Sequence, residues 1–509
     1  INNKKMSLAG GTVQFTDSRY GEKYLDSARK AMNGTRQTWY TMSGKYVDGK
    51  AIDVSKAANN SKVLRDKVTV NSGKQNLVVG YSSKEGRNFT DSGLAIDKKK
   101  ANFVANGFRA SKLNLGKYSK GLVITNGRYI TLGGSMNGDL ITVDNKKQAV
   151  KIAVGLSKNI TKNKKEVTKG YLFIGDDAVG TNGKYVLNGD IMVNKGSALQ
   201  AVSGNIQGNS VTANNGMVTV NNKASLNVKN FWEYNGADLA NSGLFKADSF
   251  TVKANASGKV RGSGKTVVQN LSLQDNSRLT LKDAADLQVS SFKTGKKSVL
   301  NIGDSSHVTA DSLTFSNSTL QGNGGQIIGD VRLNTNSTAV LSNVTMDGNL
   351  IVDDSSSADF NGGNVYVGNT LTSQGTINTR NADVYANNVE LNGAKSELNL
   401  NQGTTFGGGQ VNIHNGGRLN AYGAKIDGTE IYVNPDGNDR SDSFASFTNS
   451  ALTDVGIIVN GNGDANIEGG THVLNHFMVK SGYGTISNAV VSINDGGVIG
   501  AEFNGSVWL

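Results

Sequence analysis

A chain of 509 residues with 64 glycines, 62 asparagines, one proline and no cysteine is neither a disulfide-stapled scaffold nor a helical bundle. Its hydrophobic residues, 37% of the total, come in short alternating runs, so no stretch of about 18 apolar residues exists to cross a membrane as a helix. The net charge of +12 is unevenly spread: residues 1–170 hold 32 Lys+Arg and 12 Asp+Glu, a net of +20, and residues 171–509 hold the remaining 21 and 29, a net of −8.

In chain order, residues 1–60 are expected to form an N-terminal cap. "GEKYLDSARKAMNG" (21–34) sets Tyr24, Leu25, Ala28 and Met32 on one helical face and ends at Asn33-Gly34, a helix C-terminus signal. Trp39, Tyr40 and Tyr46 follow and are read as aromatics packed over a first coil. The chain opens on "INNKKMSLAGG" with no leader, which reads as a mature fragment cut from a longer precursor.

Residues 61–230 form a basic section of the same alternating pattern. "DKKKANF" (97–103) and "SKNITKNKKEVTKG" (157–170) cluster lysines in turn-like surroundings. Lys98, Lys99, Lys100, Lys162, Lys164, Lys165 and Lys169 are the candidates for contact with an anionic surface, either an acidic glycan or lipid headgroups. Without interleaved aromatics for base stacking, nucleic acid is not expected. A solvated face with no partner accounts for the same charge.

Residues 231–250, "FWEYNGADLANSGLFKADSF", hold Phe231, Trp232, Tyr234, Phe245 and Phe250. They read as an irregular aromatic-rich segment: an odd coil, a bend or a subdomain joint.

Residues 251–509 carry a repeat. Phrases such as "NSRLTL", "KSVLNI", "NSTLQG" and "KSELNL" align on Ser277, Ser298, Ser318, Ser337, Ser357, Gly375, Ser396 and Gly417, with steps of 18 to 21 residues. A period near 20 in a Gly/Asn/Val/Thr-rich chain excludes helical repeats and predicts coils of short strands with Gly/Asn corners. The fold class is therefore all-β: a right-handed parallel β-helix of ~20-residue coils with a short helix-containing cap. Leu398 and Leu400 should point inward, Glu397 and Asn399 outward.

One segment breaks this rhythm. Residues 433–448, "VNPDGNDRSDSFASFT", contain the only proline, Pro435, and read as a protruding loop with Asp436, Asn438, Asp439, Arg440, Phe444 and Phe447 exposed. A merely tolerated insertion fits equally well.

Signatures of chemistry are weak throughout. "GDSSH" (303–307) matches a serine-protease box but sits inside a coil phrase, so Ser305 is not read as a nucleophile. His472 and His476 would share a strand face about 13 Å apart, too far to hold one metal. "GNGDANIEGG" (461–470) and "DGNDRSD" (436–442) each miss a calcium template, the second by placing Arg440 where an oxygen ligand belongs. Asp353 and Asp354 hint at a polysaccharide-cleaving pair, but neighbours on a strand face opposite ways, so a coil corner is expected. No catalytic, cofactor-binding or metal-binding residue is assigned, and the chain is not read as an enzyme.

These features together resemble the passenger domain of a Gram-negative autotransporter, and the C-terminal "AEFNGSVWL" is similar to a strand phrase of such passengers. No β-barrel translocator follows Leu509, so the chain is expected to be passenger only. The stretches "EKYLDSARKAMNGTRQTWYTMSGKYVDGK" and "NLVVGYSSKEGRNFTDSGLAIDKKKANFVANGFRASKLNLG" resemble more specifically the vacuolating-cytotoxin branch. The resemblance implies a virulence factor that is secreted or held on the outer membrane and meets a host-cell receptor. Pore formation in that branch needs an apolar, glycine-patterned N-terminal segment; "INNKKMSLAGG" is polar, so the pore is not carried over. An adhesin is thus the first expectation, a cytotoxin-like oligomer acting on host membranes the second, and a polysaccharide-active β-helix the third. Self-association through an open coil end stays open.

Overall fold

The computed structural model describes residues 170–175, 180–437 and 441–509, and before residue 170 the strands alone, from Met6–Leu8 to Lys151–Val154. Nearly all of this is parallel β, wound as a solenoid of about 16 turns with almost no helix. It divides into two compact units: residues 1–252 with 256–268, and residues 253–255 with 269–509.

In the first unit, parallel pairing begins inside the expected cap. Met6–Leu8 pairs with Val68–Val70, which continues through Gly93–Ile96 to Lys112–Leu115. A second ladder joins Thr12–Phe15, Asn76–Val79 and Asn102–Ala105. Trp39, Tyr40 and Tyr46 lie in a small antiparallel sheet, with Trp39 opposite Tyr46. The helix expected over 21–34 lies outside the described residues.

Residues 231–250 are regular, which corrects the expectation of an irregular segment. Gly204–Asn214, Ala224–Tyr234 and Leu244–Val252 stack in register, pairing Val211 with Phe231 and Phe231 with Phe250. The aromatic density is core filling. Phe231 meets Phe245 and Phe250 edge-to-face at 5.0 and 4.9 Å, and all three are fully buried. Such contacts add about 0.5–1.5 kcal/mol each beyond the burial of the rings. Trp232 and Tyr234 point outward and are half-buried.

The same unit holds a carboxyl in its core. Glu233 occupies an inward position between Ala213 and Val252 of the adjacent coils. Its side chain is fully buried and neither oxygen has a hydrogen-bond partner. Burial, with Asp238 nearby, pushes its carboxyl well above the usual range. The space it fills is left by Gly258, where a Cβ would collide with the carboxylate.

In the second unit, the single strand Thr376–Asn392 shows the plan of a coil. Residues 376–380, 382–386 and 388–392 form three successive walls, each paired with the same wall one coil before and one coil after. Inward residues alternate with outward ones, so Leu398 and Leu400 are fully buried while Glu397 and Asn399 are half-exposed. Each such leucine contributes roughly 1.5–3 kcal/mol by leaving water.

The small residue of each phrase marks the corner before the first wall. Pairing of the strands that follow lines up Ser277, Ser298, Ser318, Ser337, Ser356, Gly375, Ser396, Gly417 and Ser443. The member of the column is thus Ser356 and not Ser357: Ser337 N donates to Ser356 Oγ at 3.1 Å, while Ser357 faces outward. The residue before the small one is often left-handed, as at Asn276 (φ 55°) and Asn317 (φ 51°), a conformation asparagine tolerates. The chain then passes so close to the previous coil that a Cβ on Gly375 would collide with Asp353 O.

Candidate functional site

The two groups of residues singled out in the sequence have different fates. Lys98, Lys99, Lys100, Lys162, Lys164, Lys165 and Lys169 lie outside the described residues, as do Asn438, Asp439 and Arg440. Asp436 is exposed at the start of the loop, just past Asn434 in its left-handed conformation (φ 54°). Phe444 and Phe447, expected in the loop, are not part of it. Both belong to the first-wall strand Phe444–Thr448, with Phe447 fully buried and Phe444 half-buried on the outer face. The alternation Phe-Ala-Ser-Phe-Thr places Ala445 and Phe447 inward, and that pattern outranks the turn formers upstream.

The loop is an insertion at the corner between third and first walls. The corner column steps 26 residues from Gly417 to Ser443, against 21 from Ser396 to Gly417. Beside it, the third wall gathers polar side chains from successive coils: Asn388 and Glu390 on Thr376–Asn392, Gln410, Asn412 and His414 on Thr405–His414, and Glu430 on Glu430–Val433.

Glu390 is the hub of this patch. Its Oε1 accepts from Asn388 Nδ2 at 2.9 Å and from Asn412 Nδ2 at 2.7 Å. Its Oε2 lies 3.2 Å from His414 Nε2, and His414 Nδ1 lies 3.8 Å from Asp436 Oδ2 in the loop. His414 therefore stands between two carboxylates, one fixed in the wall and one in the loop. A second pair repeats the chemistry two coils on. Glu430 reaches over Gly456 to His476, with Oε2 3.1 Å from Nε2. A side chain on Gly456 would collide with the Glu430 carboxylate, so this contact depends on the glycine.

Such an arrangement can present hydrogen-bond acceptors and donors side by side. Among the described residues, no group of three or more His, Cys, Asp or Glu is placed to hold a metal ion.

The remaining sequence candidates lie in the strands and corners of the coils. Ser305 is an exposed corner residue in the left-handed conformation (φ 57°). Asp353 and Asp354 stand at a corner: burial pushes the Asp353 carboxyl up, but hydrogen bonds from Ser356, Thr335 and Ser355 outweigh it and hold it below the usual range. Asp464 is raised by burial and by the charge of Asp442. His472 and His476, expected on one face, are on opposite ones. The pairing register slips between Leu474 and His476, so His472 is fully buried and His476 is turned outward. Burial holds His472 below the usual histidine range, and its Nε2–H donates to Gly469 O at 2.8 Å.

The Glu390–His414 contact was hidden in the sequence because its members are 24 residues apart. The signal is the coil period: Glu390 pairs with Asn412 and Asn392 with His414 across adjacent coils. No protein-family model, curated protein or solved structure matches the chain.

Proposed function

We propose that this chain is the passenger of a Gram-negative autotransporter, secreted or displayed at the cell surface, acting as an adhesin that binds a host-cell receptor without catalysis. The observation that carries the reading is the loop at 434–443 beside Glu390, His414 and Asp436. On an otherwise repetitive solenoid, a loop flanked by side chains of mixed hydrogen-bonding character is where specificity resides. The walls around it hold their polar groups in coil-to-coil bonds and serve as a scaffold. The basic N-terminal third supplies long-range attraction to an anionic cell surface.

Attachment of the purified chain to host cells tests the reading. Replacing residues 436–442 by a short Gly-Ser corner is expected to reduce attachment, and soluble heparin or raised salt to slow it. A chain that attaches to no host cell in any buffer overturns the proposal. Dye release from liposomes at acidic pH would move the reading to a membrane-acting toxin, and depolymerisation of a polysaccharide would move it to an enzyme.

A further inference from the structure

The second wall carries a feature that the coil does not require. Tyr366 and Tyr385, one coil apart in register, stack face to face with centroids 5.1 Å apart and planes 4° from parallel. Both are exposed, at 36% and 41%, on the outer face of the wall, whereas inward-facing rings such as Phe360 and Phe406 are buried. The next position of the same column is Gly407, and the one after it Asp427.

Gly407 heads the run Gly407-Gly408-Gly409, and the three are not equivalent. A Cβ on Gly408 would collide with Ala386 O, and one on Gly409 would lie 2.7 Å from Asn387 O, so tight coil packing explains both. A Cβ on Gly407 would lie 3.7 Å from Tyr385 Cδ2 and 3.8 Å from Asp427 O, which is ordinary contact, and its φ is not left-handed. The fold would accept a side chain there, and glycine weakens a strand by about 0.5–1 kcal/mol relative to alanine. What the glycine does is leave the Tyr385 ring face uncovered. The result is a slot with a ring on one side, a glycine floor and Asp427 on the other. Coils lie about 4.8 Å apart, so the slot spans two coil steps, enough for one ring.

Its rim is polar. Asp383 and Thr405 stand one column over, exposed and half-exposed, and Lys425 pairs with Asp427 at 3.0 Å. Asn387, on the other side, is exposed and hydrogen-bonded to Gly368 O.

We infer that this slot is a binding site for a pyranose ring of a neutral glycan. An aromatic face takes the C–H face of a sugar ring, while surrounding carboxylates and amides take its hydroxyls. Asp383 and Asp427 against Lys425 leave the rim with a negative excess, which disfavours sulfated or sialylated sugars and nucleotides. The inference rests on the adhesin reading for its setting and names a ligand class for it. The slot lies on the second wall, whereas the loop stands at the corner between the third and first walls.

The test is an oligosaccharide array carrying neutral, sialylated and sulfated glycans, probed with the purified chain and with Gly407→Val and Tyr385→Ala. Binding to at least one neutral glycan is expected. Gly407→Val fills the slot with a residue that strands favour and should weaken that binding at least about tenfold with thermal stability retained. Tyr385→Ala should do the same by removing the platform. No neutral glycan bound, binding confined to acidic glycans, or undiminished binding by Gly407→Val in a folded protein would each overturn the inference. Host-cell attachment measured on the same samples separates the two readings. Glycan binding undiminished in Gly407→Val, with attachment that fails on loop replacement, keeps the adhesin and removes the slot.

Discussion

Asn399 donates its side-chain amide to Asn378 Oδ1 one coil earlier, at 3.0 Å, and accepts the amide of Asn420 one coil later, at 2.9 Å. Asn378 in turn donates to Asp359 Oδ1 at 3.0 Å, so four coils are tied by one file of side chains on the outer face of the first wall. Identical amides stacked at the coil spacing satisfy one another without drawing on water, as in other stacked parallel strands.

Asn399→Ala removes two of these three bonds and leaves Asn378 and Asn420 each short of a partner. The expected cost is about 1–2 kcal/mol, since the site is only half-buried. Urea unfolding should show a lower midpoint, and amide exchange should speed up in the coils on either side of residue 399. Exchange that speeds up uniformly through the unit would contradict a local tie.

The ladder shows why the architecture was readable from sequence while the chemistry of the surface was not. Period and alternation put Leu398 and Leu400 inward and Asn399 outward, and both are local properties of the chain. Which outward residues meet depends on register, and register needs the coil length at every turn. A one-residue error moved the corner from Ser356 to Ser357, and an error of that size is enough to hide Glu390 against Asn412. The His472–His476 face failed for the same physical reason: a slip in the strand inverts everything after it.

Phe444 and Phe447 separate a strand from a loop experimentally. Phe447→Ala should cost about 3–5 kcal/mol, because it empties a fully buried position whose column continues through Ala421 and Ile467. Phe444→Ala, on the outer face, should cost under about 1 kcal/mol. Thermal unfolding of the two variants settles the ranking, and equal small losses would return both residues to an exposed loop.

Glu233 predicts a pH dependence in the first unit. Its folded carboxyl is raised above the ordinary 4.5 by burial and by Asp238, so the folded state holds a proton that the unfolded chain gives up. Below the unfolded value both states are protonated and the group contributes nothing. As pH climbs from there through the raised folded value, stability is lost. Glu233→Gln should flatten this slope. Glu233→Leu should gain about 1–3 kcal/mol at neutral pH by removing an unpartnered buried polar group. Thermal midpoints from pH 4 to 8 (about half-unit steps) read it out, and a wild-type midpoint that rises with pH in parallel with both variants would rule the effect out.

His472 predicts the opposite slope in the second unit. Its Nε2 must carry the proton, because Gly469 O can only accept, and Nδ1 is buried without a partner. Adding a second proton would place a charge in the core, so burial holds the folded value below the ordinary 6.5. Above the unfolded value both states are neutral and nothing is gained or lost. As pH falls below it, the unfolded chain takes up a proton that the folded chain refuses, and stability drops until the folded value is reached. His472→Gln keeps a donor for Gly469 O but does not titrate. It should match wild type to within about 1 kcal/mol at pH 8 and be the more stable of the two near pH 5. Amide exchange resolved by segment distinguishes the units. Acidification should loosen residues around 472 in wild type and not in His472→Gln, while the coils around Glu233 tighten in both; loosening at 472 in both proteins alike would place the sensitivity elsewhere.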